Sequence, residues 1–217
     1  MTFQEMYNLA MALWDKAGSP YLPEEQFDAI ANTKYNDWIE NMAKQFEKDE
    51  NLTERLRWLL KKYTKNNSSF INLKTEVPDF RRRFRFYGKF SQLCDGQTQT
   101  FEVNIMATSN DEIDEMKVDP FNSPTDREPL FISDVNGLGE PIMQVFSTTT
   151  PVQMVMTYMR EPQKINVANS PSTIFEAPDY IAQEIVMMIV KAADGITENF
   201  NRVQTDSAEL GQRMASL

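Results

Sequence analysis

The stretch Phe80-Arg-Arg-Arg-Phe-Arg-Phe-Tyr-Gly-Lys-Phe-Ser-Gln-Leu-Cys94 decides the fold of the middle of this chain. Its even-numbered positions include the apolar Phe84, Phe86 and Phe90, and its odd-numbered positions include the basic Arg83, Arg85 and Lys89. Asp95-Gly96 follows, and the alternation returns with Phe101, Val103 and Ile105. Asp-Gly between two alternating runs is a strong hairpin signal, because both residues tolerate the positive φ of a type I′ turn. The sequence therefore predicts a β-hairpin from Phe80 to Met106 with one apolar and one charged face.

Composition favours a folded chain. The 217 residues are 41% hydrophobic and 11% aromatic, which is enough to bury a core. No apolar run approaches the roughly 20 residues that cross a bilayer, and the start lacks the basic segment of a secretion signal. We expect a soluble, unexported chain. The single cysteine, Cys94, excludes an internal disulfide and fits a reducing compartment.

Residues 1–66 are predicted to form a three-helix unit. Thr2 and Glu5 match a capping box before the first apolar helical stripe, and Pro23 is predicted to open a second helix. Asn51 or Thr53 is predicted to cap a third helix that runs to Tyr63.

Residues 67–162 are predicted to form an antiparallel β domain. A meander of about five or six strands is the simplest arrangement, with an acidic loop over 108–129 between its hairpins. In addition to the two strands of the central hairpin, the predicted strands are Phe70 to Val77, Leu130 to Ser133, Pro141 to Phe146 and Val152 to Tyr158.

The rest of the chain is predicted to be a linker with a C-terminal helix over 163–198 and a polar tail over 199–217. The helix opens at Pro178 and is apolar over most of its circumference, which is typical of a buried helix. The fold class is therefore α+β, in which the N-terminal and C-terminal helices pack with a small antiparallel, meander-like or barrel-like β domain.

The sequence contains no familiar catalytic pattern. It has no phosphate-binding glycine loop, no nucleophile elbow and no histidine, which removes the commonest general base and metal ligand. We expect a protein that is not an enzyme and that needs no cofactor. The acidic cluster Asp111, Glu112, Asp114, Glu115 and Asp119 leaves a metal enzyme built on Asp111 and Asp114 as one alternative, although the cluster lacks the glycine of a calcium loop.

A second alternative is a nucleic-acid-binding module. Basic residues interleaved with aromatics resemble a platform for phosphates and bases, here Arg81, Arg82, Arg83, Arg85 and Lys89. A net charge of −10 and a pI near 4.6 argue against non-specific binding to phosphates. Arginine also makes bidentate pairs with carboxylates, so the basic face is better interpreted as a protein interface that meets the acidic loop of a neighbour.

Four strings resemble the neck or ring adaptor proteins of tailed bacteriophages, especially the ring proteins of crAss-like short-tailed phages. They are Phe27-Asp-Ala-Ile-Ala-Asn-Thr-Lys-Tyr-Asn-Asp-Trp-Ile39, Asp119-Pro-Phe-Asn-Ser-Pro-Thr125, Val155-Met-Thr-Tyr-Met-Arg-Glu-Pro162 and Glu176-Ala-Pro-Asp-Tyr-Ile-Ala-Gln-Glu-Ile-Val186. The family's small-residue run after Glu-Ile-Val is replaced here by Met187-Met-Ile189.

The resemblance implies a structural virion protein of the head-to-tail connector, made in the cytoplasm of the host bacterium. It implies a dodecameric homo-oligomeric ring that docks on the portal or on another ring or tail protein. Packaged DNA would pass through its channel without sequence-specific binding, and no membrane would be involved. The interface candidates are Arg81, Arg82, Arg83, Arg85, Lys89, Asp111, Glu112, Asp114, Glu115 and Phe121.

Overall fold

A computed structural model describes residues 1–15, 22–46, 54–94, 97–119, 122–193 and 195. The chain divides into two compact units. The helical unit combines Met1–Trp58 with Gln163–Leu217, and the β unit is the continuous segment Leu59–Pro162. The protein is α+β, as predicted. No helix in the described part of the chain is both long enough and apolar enough to cross a bilayer.

The helical unit contains α1 (Phe3–Asp15), α2 (Glu24–Lys44) and, later in the chain, α5 (179–193). The predicted capping box at the start of α1 is confirmed, because the Glu5 N–H donates to Thr2 Oγ1 at 3.2 Å and the Thr2 N–H donates to Glu5 Oε2 at 2.7 Å. Apolar side chains of all three helices are buried, among them Phe3, Phe27, Tyr35, Ile181 and Ile185. On α5, Met187 is 47% exposed, so burial of that helix is incomplete.

The segment before α5 is tied to α2 by side-chain hydrogen bonds. Asn32 accepts from the Ile165 N–H at 2.9 Å and donates to the Ile165 carbonyl at 2.7 Å. Asp28 Oδ1 accepts from the Val167 N–H at 2.8 Å. Residues distant in sequence therefore form one unit, whereas the sequence analysis assigned them to separate regions.

The β unit contains two four-stranded sheets rather than the single predicted meander. Sheet 1 has the order β1-β8-β3-β4 and is antiparallel throughout, and sheet 2 has the order β2-β7-β6-β5. Sheet 1 consists of β1 (Leu60–Asn66), β3 (Phe80–Cys94), β4 (Gln97–Asn104) and β8 (Gln153–Arg160). Sheet 2 consists of β2 (Phe70–Asn72), β5 (Met106–Ala107), β6 (Leu130–Val135) and β7 (Pro141–Phe146).

Two short helices complete the β unit, α3 (Leu73–Glu76) and α4 (Asn110–Val118). The predicted strand from Phe70 to Val77 is wrong after Asn72, because the Asn72 side chain accepts from the Thr75 N–H and caps α3. The pairing of β5 with β6 is parallel, which an antiparallel meander does not contain. The hairpin joining β6 and β7 at Asn136-Gly137 is confirmed.

A single core lies between the inner faces of the two sheets. Sheet 1 contributes Phe86, Met154, Met156 and Tyr158, and sheet 2 contributes Ile71, Phe131, Met143 and Val145. Each of these side chains is at most 5% exposed. Their burial supplies the hydrophobic driving force that holds the sheets together.

The predicted third helix is wrong from Leu60 onward. The predicted caps Asn51 and Thr53 lie outside the described residues. From residue 54 onward the stretch has helical geometry at 54–56 and a 3-10 turn at Arg57–Leu59, after which the chain enters β1. All seven residues of β1 pair with β8, from Leu60 opposite Met159 to Asn66 opposite Gln153. This non-local pairing overrides a helical spacing of leucines, because strand formation depends on cross-strand neighbours more than on intrinsic preference.

Candidate protein interface on the β unit

Two β-bulges determine which side chains of β3 face the core. The register with β8 shifts between Phe80 and Arg82 and again between Arg83 and Arg85. A bulge inserts one residue into a strand and moves the following side chains to the other face. Arg83 lies opposite Tyr158 and Phe86 lies opposite Met156, so both face the core, whereas Arg85 lies opposite Thr157 on the outer face. The prediction of one wholly basic face is therefore wrong at Arg83.

Arg83 is half-buried and lies over an aromatic ring. Its guanidinium carbon is 4.3 Å from the centre of the Phe131 ring, which is the geometry of a cation–π contact. Burial lowers the pKa of Arg83 from its ordinary value. Among the residues that the structure describes, no carboxylate lies within ion-pair distance of this guanidinium. Arg83 is therefore a packing residue of the β unit.

The other basic candidates have different surroundings. Arg81 is 15% exposed, with Nη1 3.7 Å from Glu161 Oε2. Arg82 and Arg85 are exposed on the outer face of sheet 1. Lys89 lies opposite Glu102 in the β3–β4 ladder, which is a favourable cross-strand pair of charges. The five basic residues therefore do not form one continuous patch.

The acidic candidates are gathered on α4, but two of them have local structural roles. Glu112 completes a capping box with Ser109, and Thr108 Oγ1 donates to Glu112 Oε2 at 2.7 Å. These hydrogen bonds lower the pKa of the Glu112 carboxyl. Asp114 accepts from Lys117 at 3.0 Å. Asp111 and Glu115 are exposed.

The remaining candidate, Phe121, lies outside the described residues, as do the Asp95-Gly96 turn and the tail over 199–217. Across the described ranges, no three histidine, cysteine, aspartate or glutamate side chains come together in a way that could hold a metal ion.

The far end of the β3–β4 hairpin extends past the rest of sheet 1. Strand β8 stops pairing with β3 at Lys89, whereas the β3–β4 ladder continues from Phe90 opposite Phe101 to Cys94 opposite Gln97. We call this part the arm (90–94 and 97–101). On β4, the arm residues Gln97–Thr100 are polar, uncharged and exposed. On β3, Leu93 is 72% exposed. Isolated two-stranded ribbons are marginally stable in water.

The two lateral edges of sheet 1 differ in charge. Strand β1 carries Lys61, Lys62 and Lys65, whereas the only charged residue of β4 is Glu102. The chain after β4 then adds the acidic α4. Lysines protect exposed sheet edges from indiscriminate pairing, and β4 lacks them along eight residues.

Two of the β1 lysines are held by carboxylates of the same unit. Lys65 Nζ is 2.7 Å from Glu76 Oε1, and Lys61 pairs with Asp79. The Tyr63 hydroxyl donates to Glu76 and the Tyr158 hydroxyl donates to Asp79. Burial and these hydrogen bonds raise the pKa of both Tyr63 and Tyr158 to about 12. Lys62 instead lies over the Tyr87 ring, 5.5 Å from its centre.

The edge residues were missed by the sequence analysis. The predicted third helix runs to Tyr63 and includes Lys61 and Lys62, so it predicts no sheet edge here. The signal that could have identified a strand is Tyr63-Thr64, two residues of high β propensity that lie one residue before the Asn66-Asn67 turn. In comparisons with known proteins, no family model and no curated protein matches the chain.

Proposed function

We propose that this chain is a structural subunit of a homo-oligomeric ring, and that the ring belongs to the head-to-tail connector of a tailed bacteriophage. The observation that carries the ring is the arm, a two-stranded ribbon that has no third strand among the described residues and on which Leu93 is 72% exposed. A ribbon of this kind gains stability when a second protein covers it. The connector assignment follows from the resemblance of the four strings given above.

Charge supports a role around a DNA path. The chain has a net charge of −10, and its sequence assigns 18 acidic and 10 basic residues to the helical unit. Negative surfaces repel phosphates, so a channel formed by such subunits would let DNA slide without adhesion. The β unit is closer to neutral, with 14 acidic and 12 basic residues, which suits protein contacts.

Burial of the hairpin phenylalanines weighs against the alternative of a nucleic-acid-binding module. Phe86 is 3% exposed and Phe90 is 0% exposed, so neither can stack on a base. Arg83, which that alternative needs as a phosphate ligand, is half-buried over Phe131. The proposed ring contact through the arm does not use Phe86 or Arg83.

Native mass spectrometry and negative-stain imaging of the full chain test the proposal. We expect closed rings of a single copy number, either alone or after mixing with the portal protein of the same phage. A chain that stays monomeric in both conditions would contradict the proposed function. Salt-sensitive binding of duplex DNA by that monomer would favour the nucleic-acid alternative.

A matched pair of variants tests the role of the arm. Leu93→Asp places a charge on the exposed arm and is expected to reduce ring formation by about tenfold or more, since a charge desolvated at an interface is costly. Leu138→Asp is the control, because Leu138 is 84% exposed in the β6–β7 turn. Equal assembly of the two variants would exclude the arm from the ring contact.

A further inference from the structure

The backbone of β4 has a regular set of groups that point away from sheet 1. The Ile105 N–H donates to the Phe86 carbonyl at 2.9 Å, which identifies these two residues as a hydrogen-bonded pair of the antiparallel ladder. Such pairs alternate along a ladder. The backbone groups of Thr98, Thr100, Glu102 and Asn104 therefore point outward from the sheet.

The same reasoning applies to β1 at the opposite edge. The Asn67 N–H donates to the Val152 carbonyl at 3.0 Å, one step beyond the pair Asn66–Gln153. Odd-numbered residues of β1 therefore bond to β8, and Lys62, Thr64 and Asn66 direct their backbone groups outward. All three side chains are exposed.

Strand direction makes the two edges compatible. Strand β1 is antiparallel to β8, β8 to β3, and β3 to β4, so β1 and β4 run in opposite directions. A second copy placed beside the first in the same orientation therefore brings its β1 antiparallel to β4. This contact is heterologous, and heterologous contacts close into rings when their rotation closes.

Charge selects this pairing over pairing between identical edges. Two β1 edges would bring the Lys62 side chains of both copies to one contact, and two β4 edges would bring both Glu102 side chains together without a cation from the other copy. Pairing β4 with β1 places opposite charges across the contact, and like charges across a ladder are destabilising.

We propose that β4 of one subunit pairs in an antiparallel ladder with β1 of the next copy, with Lys62 opposite Glu102, Thr64 opposite Thr100 and Asn66 opposite Thr98. The seven residues of β1 match the eight of β4 in length. In both strands these side chains occupy the outer face of sheet 1, since Lys62 lies opposite Thr157 and Glu102 lies opposite Lys89. The ladder therefore continues sheet 1 from subunit to subunit. This inference rests on the proposed ring.

A proline at an outward position tests the ladder. Thr100→Pro removes an N–H that points away from β3, so the monomer is expected to fold, as proline is tolerated on outward-facing edge positions. The concentration needed for half-maximal assembly is expected to rise by about tenfold, the effect of losing an interface hydrogen bond. Thr100→Ala, which keeps the N–H, is the matched control and should assemble within about threefold of the wild type. Equal assembly of both variants would overturn the proposal.

Charge reversal tests the register and separates it from contacts within one chain. The pKa of Lys62 is raised, mainly by the neighbouring Tyr87 and to a smaller extent by Glu102 of the same chain. Lys62→Glu and Glu102→Lys are each expected to reduce assembly, and an equal mixture of the two variants should restore it. The mixture restores opposite charges only across the contact between copies, because each variant keeps like charges within its own chain.

The outcomes distinguish this inference from the proposed function. A wild-type chain that forms no ring overturns the function and the inference together. If the wild type forms rings and Thr100→Pro forms them equally well, the β4–β1 ladder is overturned but the proposed ring is not. The same holds if the two single charge variants do not recover assembly on mixing.

Discussion

The guanidinium of Arg83 lies 4.3 Å from the centre of the Phe131 ring, on the core-facing side of sheet 1. This contact explains why a basic run can lie in a strand whose neighbours are buried. Two bulges turn Arg83 inward and leave Arg82 and Arg85 outside. Arginine can bury its aliphatic stem while its charged end stays partly accessible, which suits the half-buried position of Arg83.

Reversal of the charge at Arg83 should destabilise the β unit. A carboxylate over the negative face of Phe131 loses hydration and gains no partner, so Arg83→Glu should lower the free energy of unfolding by about 2–3 kcal/mol. Arg83→Met keeps the aliphatic stem and should stay within about 1 kcal/mol of the wild type. Urea denaturation of the full chain measures both. An Arg83→Glu protein as stable as the Met variant would contradict the contact with Phe131.

The absence of a side chain at Gly88 should also be necessary for stability. A Cβ at this position would lie 2.8 Å from Phe90 Cε2 and 3.2 Å from Ile105 Cδ1. Because Phe90 is fully buried and stacks on Phe101, it has little room to move, and Gly88→Ala should cost about 1–3 kcal/mol. Gly137→Ala is the control, since nothing lies within 4 Å of the added atom. In thermal denaturation, Gly88→Ala should therefore unfold at a lower temperature than Gly137→Ala. Equal midpoint temperatures for the two variants would contradict the close contact at Gly88.

Acid should weaken the β1 edge through Glu76 and Asp79. Burial opposes ionisation of both carboxyls, but hydrogen bonds from Lys65, Tyr63 and the Asn72 N–H to Glu76 lower the pKa of that group below its ordinary 4.5. Hydrogen bonds from Lys61 and Tyr158 lower the pKa of Asp79 below 3.8 in the same way. A lowered folded-state pKa contributes stability above the unfolded-state value, and this contribution is lost as pH falls through the folded-state value.

The free energy of unfolding should therefore decline below about pH 4.5 more steeply in the wild type than in Glu76→Gln. At pH 7 the Gln variant should already be about 1–2 kcal/mol less stable, because Lys65 and Tyr63 lose a charged acceptor. Asp111→Asn, on the exposed side of α4, serves as the control. Denaturation curves with identical pH slopes for wild type and Glu76→Gln would contradict this account of the cluster.

Sequence reasoning recovered the elements whose signals are local. The Thr2–Glu5 box, the β3–β4 hairpin and the Asn136-Gly137 turn follow from short patterns in adjacent residues. The alternation of β4 is also confirmed, since Phe101 and Val103 are half-buried, Ile105 is buried, and Glu102 and Asn104 are exposed.

The errors arose where distant residues decide the structure. Nothing near Arg83 in the sequence indicates a bulge, because the extra residues of β3 are recognised only from the register of β3 with β8. Leu56, Leu59 and Tyr63 have a helical spacing, yet β8 pairs with the chain from Leu60 onward. The division into two units could not be inferred from segment order, since 163–193 joins residues from the start of the chain.

The opposite directions of β1 and β4 have a consequence for assembly size. Each subunit would add four strands, an even number, to the proposed continuous sheet. The contact between the last and the first subunit of a ring would therefore be antiparallel, like every other contact. Strand direction would then allow any number of subunits in the ring, and the angle between the sheets of adjacent subunits would set that number. Substitutions that alter the twist at the β4–β1 junction should produce rings of altered diameter rather than open chains.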